Sequence, residues 1–146
     1  MESLKLKTKR IEVMIDDDPE RIITFNPEDV KLRARLFAFA KDAQKKQRET
    51  EARITEIEKV EGTDSDGLPN NSEQMISLML ELADYVMTGI DEVFGVGTSR
   101  IVFVDGFDFE TATMFINFAT GKFESVSTDK INQRLSKSVA KKKVMN

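Results

Sequence analysis

The stretch Gly89–Gly106 reads GIDEVFGVGTSRIVFVDG. An apolar run stops at Phe94. Gly95, Gly97, Thr98 and Ser99 follow, then Ile101–Val104, then Asp105-Gly106. A glycine-rich loop with neighbouring hydroxyls can cradle a phosphate, or it can end a helix. A Walker loop needs a Lys-Ser/Thr pair after its second glycine; here Gly97 is followed by Thr98-Ser99-Arg100. A dinucleotide fingerprint needs its glycines after a strand and before a helix. Here the pattern predicts the helix first, with Ile101–Val104 after it as a buried strand or extended link. Amides that bind anions sit at helix N-termini. Gly95 falls at a predicted C-terminus, where glycine takes the left-handed conformation that ends a helix. The segment reads as a helix stop, with Gly97 supplying a second sharp bend.

Upstream, Asn71 or Ser72 caps the helix that this stop ends, with Gln74 at the capping-box position. Met75, Ile76, Met79, Leu80, Ala83, Val86, Met87, Ile90, Val93 and Phe94 fall at helical spacings, so this helix is predicted to be central. Residues 62–71 are a loop by composition. Its Asp64-Ser65-Asp66-Gly67 fails as a calcium loop, because Met75 stands where the glutamate ligand belongs. Further upstream a long helix is predicted, with Asn26 as cap and Pro27 at the first helical position. Val30, Ala34 and Phe37 form one apolar line, and Leu32, Leu36, Phe39 and Ala43 another. From Lys41 to Glu61 the helix turns polar, and only Ile54, Ile57 and Val60 remain as a narrow stripe. This half is predicted to project or to pack lightly.

Period-two patterning at Leu4, Leu6, Ile11, Val13 and Ile15, then Asp16–Glu20, then Ile22, Ile23 and Phe25 predicts a β-hairpin over residues 1–25. Adjacent strand residues point to opposite faces, so the three aspartates of the turn do not converge on a metal ion. Downstream, Asp108 is predicted to cap a helix carrying Phe109, Ala112, Phe115, Ile116 and Ala119 and ending at Gly121. A basic C-terminal helix is predicted over residues 127–146, with Ile131, Leu135 and Val139. The expected architecture is a single domain over residues 1–146, α+β and mainly α. An N-terminal hairpin is followed by about four helices in residues 26–146.

The 146 residues suffice to bury roughly 68–70% of the unfolded surface. Cysteine and histidine are both absent, which removes the thiolate nucleophile, the commonest general base and the commonest transition-metal ligand. The expectation is a binding protein and not an enzyme, with no catalytic residue, no cofactor and no metal. No apolar run approaches the ~20 residues of a membrane span, and no signal-peptide core opens the chain. The net charge is −4, unevenly spread. Residues 49–73 hold eight acidic and two basic residues, while five basic residues and no acidic one lie from Arg134 onward. The basic tail carries no aromatic residue to stack on bases, so nucleic acid is a disfavoured partner.

One pattern goes further. Asp91–Ser99, DEVFGVGTS, follows an apolar helix and precedes an apolar run, Phe103-Val104-Asp105-Gly106 and a Phe-rich helix. This resembles the small tail assembly chaperones of siphophages and prophages of Gram-positive bacteria, in which a phrase like D-x-x-F-G-x-G-T-S … F-G-D recurs. Here the last element lacks the glycine before Asp105. The resemblance implies a protein of the host cytoplasm, absent from the mature virion. It would bind the tape measure protein and help the major tail tube protein polymerise around it. It also implies a longer form made by ribosomal frameshifting; Lys141-Lys142-Lys143 is what an A-rich slippery run encodes. Adaptable apolar surfaces suit such a client, through helix-in-groove binding. The candidate protein-binding residues are Ile54, Ile57, Val60, Met75, Met79, Phe109 and Phe115, and a homo-oligomer is a further candidate. The alternatives are a nucleic-acid-binding regulator using the basic helix, and a structural neck or tail-completion protein.

Overall fold

A computed structural model of the chain describes the backbone of residues 1–145. Side chains are described up to residue 126 and at Leu135. The expected fold class, α+β and mainly α, holds: an antiparallel two-stranded hairpin precedes four helices. Strands β1 (Ile11–Met14) and β2 (Ile22–Phe25) pair with Ile11 opposite Phe25 and Met14 opposite Ile22. The helices are α1 (Val30–Glu58), α2 (Ser72–Phe94), α3 (Thr98–Val102) and α4 (Phe109–Met145).

The hairpin is shorter than the patterning predicts. Leu4 and Leu6 lie exposed, outside any strand, because β2 is only four residues long and has no backbone left to pair with them. The connection tightens into a 3-10 turn at Ile15–Asp17, with Asp16 and Asp17 at φ of 53° and 57°. Aspartate tolerates this left-handed region better than most residues. The Asp18 carboxylate accepts from the Glu20 N–H at 2.9 Å and closes the bend.

The cap of α1 is Asp29, not Asn26. Its carboxylate accepts from the backbone N–H groups of Lys31 and Leu32 at 2.9 and 3.3 Å. Asn26 makes the preceding turn instead, accepting from the Glu28 N–H. Leu32 and Leu36 are buried, whereas Val30 and Phe37 of the other predicted line are 78% and 66% exposed. Asn71 precedes α2 but makes no side-chain capping bond. Residues 62–71 are ordered by their own hydrogen bonds: the Asp64 carboxylate accepts from Asp66 and Leu68, and Thr63 bridges Pro69.

The core joins Ile23 and Phe25 of the hairpin to Leu32 and Leu36, Ile90 and Val93, Val102 and Phe103, and Ala112, Phe115, Ala119 and Phe123. Phe25 sits at its centre, its ring 5.5 Å from Phe94 and 5.9 Å from Phe123. Helices α1 and α2 form an antiparallel pair. The Phe39 ring of α1 lies over Gly89 of α2; a Cβ there would stand 2.0 Å from the ring.

Two sequence expectations fail downstream. Thr98–Val102 is a short helix, not a strand or link. Likewise α4 does not end at Gly121; it continues through it, so no separate helix begins near residue 127. Glycine inside a helix costs about 1 kcal/mol. Buried Ala119 and Phe123 on either side hold the backbone helical across it.

Candidate interaction surface

The Asp91–Ser99 segment is a structural joint. Gly95 leaves α2 at φ 117°, ψ 151°, a conformation open essentially to glycine alone. Gly97 follows at φ 96°, ψ −11° and opens α3. Here the expected order is corrected, since a helix does start after the glycines. The Thr98 and Ser99 amides at its N-terminus are already taken. The Asp91 carboxylate accepts from the Ser99 N–H at 2.8 Å and from the Ser99 hydroxyl at 2.9 Å. The other end of α3 is closed by Arg21, whose guanidinium donates to the carbonyls of Ile101 and Val102, each at 3.0 Å. A third bond from Arg21 reaches the Asp16 carboxylate at 3.0 Å. Charged partners at the matching ends of the helix dipole thus lock five residues that would not form a helix alone. The Phe94 ring completes the joint against Phe25 and, at 5.1 Å, against Phe115.

The outer cleft of the α1–α2 pair is polar and self-satisfied. Glu81 pairs with Arg53 at 2.7 Å and Lys46 at 3.4 Å. The hydrogen bond from Arg53 first, then that from Lys46, holds the Glu81 carboxyl below its ordinary range. Tyr85 stacks on Phe39, lies under the Lys46 ammonium and donates its hydroxyl to the Asp42 carboxylate. Burial first, and then that bond, push the Tyr85 phenol above its ordinary value. Among the described residues, no group of three or more acidic, His or Cys side chains could hold a metal ion. No helix of the described residues is long and apolar enough to cross a membrane.

The opposite face of the pair carries α4. Ala43 and Gln47 of α1 and Val86 of α2 share a groove with Phe109, Ala112 and Ile116. Helix α4 begins at Phe109, but the face beneath it does not stop there. On α1, Ile54 repeats the register of Leu36, Ala43 and Gln47. On α2, Ile76 and Ala83 repeat the register of Met87 and Phe94, which pack on the core. With none of the described residues seated on it, this continuation leaves Ile76 58%, Met79 50% and Leu80 62% exposed. It runs about 16 Å along α1 past Gln47. The buried hydroxyl of Thr50, on the same stretch of α1, has no hydrogen-bond partner among the described residues.

Compared with family models, curated proteins and solved structures, this chain has no match.

The seven sequence candidates divide. Ile54, Ile57 and Met75 are half-buried, Met79 is exposed, and all four lie on the free end of the α1–α2 pair. Val60 lies two residues past the end of α1. Phe109 is 41% exposed at the start of α4, its ring 4.9 Å from Phe107. Phe115 is a core residue at 6% exposure and presents no surface. Ile76 and Leu80 were missing from that set. Their signal was present in the sequence: α2 is apolar over more of its circumference than one packing face requires. The basic tail's side chains, from Ser127 on except Leu135, lie outside the described residues.

Proposed function

We propose that this chain is a tail assembly chaperone of a siphophage or prophage, binding the helical tape measure protein before the tube forms around it. The Asp91–Ser99 phrase supports the family reading. One structural observation carries the binding mode: the face that holds α4 continues bare past Phe109, with Ile76, Met79 and Leu80 exposed. Three large apolar side chains grouped on one helix mark a binding surface more readily than scattered ones do. An amphipathic helix seated there would extend the line of α4 and meet the same kind of surface that α4 meets. Methionine at positions 75 and 79 lets the surface adapt to successive stretches of a long client. The chemistry asked of the chain is burial and release of apolar stripes, which requires no nucleophile, base or metal.

Co-expression with the tape measure protein of the same phage tests this. The expected outcome is that the client, aggregated alone, becomes soluble and co-purifies with the chain. A client that stays insoluble beside ample folded chaperone contradicts the reading.

A further inference from the structure

The charge of this chain is divided between two arms that point apart. One is the free end of the α1–α2 pair, residues 49–73, with eight acidic and two basic residues. The other is α4 beyond Phe123. Its sequence carries Lys130, Arg134, Lys137, Lys141, Lys142 and Lys143 against Glu124 and Asp129. The direction of α4 follows from its neighbours. Its start, at Ala112 and Thr113, shares a groove with Ala43 and Gln47. Further along, Thr120 and Phe123 share one with Val30 and Leu36. Helix α4 therefore runs antiparallel to α1, and its continuation extends about 33 Å away from the acidic tip. A continuous helix cannot bring the basic end back to the acidic arm of its own chain.

A groove of about 660 Å³ opens on the acidic arm between the two helices. Ala52 and Ile57 give it an apolar floor; Glu56 and Glu73 stand on its two sides, Glu56 in an exposed ion pair with Lys59 at 3.0 Å, and Arg53 also lines it but is held by Glu81 at 2.7 Å. Ile57 lies one turn from Ile54, and Glu73 and Ser77 lie one turn before Ile76 and Leu80, so the groove borders the bare face along the free end of the pair. The basic arm has the matching pattern: Ile131, Leu135 and Val139 recur every fourth residue among lysines, and Leu135 is 59% exposed. We propose that the acidic groove of one copy receives the basic end of α4 from a second copy. Acidic walls meet lysines, and the apolar floor meets the Ile131–Val139 stripe. The contact joins two different surfaces, so it is heterologous and builds a ring or an open chain of copies. It stands independently of the tape measure reading.

Sedimentation velocity on the nuclease-treated full chain tests it at low and high salt. The expected result is assemblies larger than the monomer at low salt, with association weakened by roughly 10-fold or more as salt screens the charges. Reversal of charge at either arm, by Lys141→Glu/Lys142→Glu/Lys143→Glu or by Glu56→Lys/Glu73→Lys, leaves monomers of unchanged helix content by circular dichroism. Mixing the two variants restores association, because each then offers the charge that the other lacks. A wild-type monomer at every concentration overturns the proposal. So does association that survives either reversal, that mixing fails to restore, or that nuclease treatment abolishes; the last would make nucleic acid the partner of the basic arm.

Discussion

Asp91 and Ser99 are bonded twice, the carboxylate of one accepting from both the N–H and the hydroxyl of the other at 2.8 and 2.9 Å. Ser99 is 4% exposed, so losing its partner leaves two buried donors without an acceptor. Asp91→Ala is expected to lower unfolding stability by about 2–3 kcal/mol in urea denaturation. Ser99→Ala, which removes one bond and leaves the amide paired, costs less.

Arg21 performs the complementary task at the far end of α3. Its side chain is 12% exposed and ties the hairpin to the α3 carbonyls. Arg21→Met keeps the aliphatic stem and removes every donor, at an expected cost of about 1–3 kcal/mol. Arg21→Lys recovers only part of this, since an ammonium cannot reproduce the planar fork. Thermal denaturation of both variants checks the order.

These two residues explain much of what could and could not be read in advance. The hairpin, the order of the long helices and the Asp108 cap were legible, because alternation, periodicity and capping chemistry are local. Asp108 does accept from the Thr111 N–H and hydroxyl, both at 2.7 Å. Helix α3 was not legible. Ile101-Val102-Phe103-Val104 favours strand by propensity, and its first residues become helical only because Asp91 and Arg21 grip it from distant parts of the chain. Gly121 misled for the same kind of reason, since packing at Ala119 and Phe123 overrode a local stop signal. The bare face was half legible: Met79 and Ile54 were picked out by spacing. Ile76 and Leu80 were absorbed into the core, because a sequence does not tell where a covering helix begins.

Gly89 is required by the approach of Phe39. A methyl group there meets the ring at 2.0 Å. Gly89→Ala is expected to destabilise by about 1–3 kcal/mol through overpacking. Gly89→Ala combined with Phe39→Leu should cost less than the two substitutions summed, which a double-mutant cycle measures.

Tyr85 is the only tyrosine, and tryptophan is absent, so ultraviolet absorbance reads its ionisation alone. Its phenol is raised by burial first and by the Asp42 carboxylate second. A group whose folded pKa is raised favours its protonated form in the native state. Its contribution to stability is therefore complete below the ordinary phenol value of about 10 and declines as pH rises above it. The native titration should lie above that of the urea-unfolded chain. Asp42→Asn should lower it without bringing it down to the unfolded value, since burial remains.

Ile76, Met79 and Leu80 are the proposed seat of a client helix. Ile76→Glu and Leu80→Glu replace exposed side chains, so each is expected to change stability by no more than about 0.5 kcal/mol. The decisive measurement is calorimetric titration of a helical tape measure fragment into the wild-type chain and into the Ile76→Glu/Leu80→Glu variant. Binding to the wild type is expected, with at least a roughly 100-fold loss in the variant, from charge buried against an apolar stripe. Equal affinity of the folded variant and the wild type would contradict it.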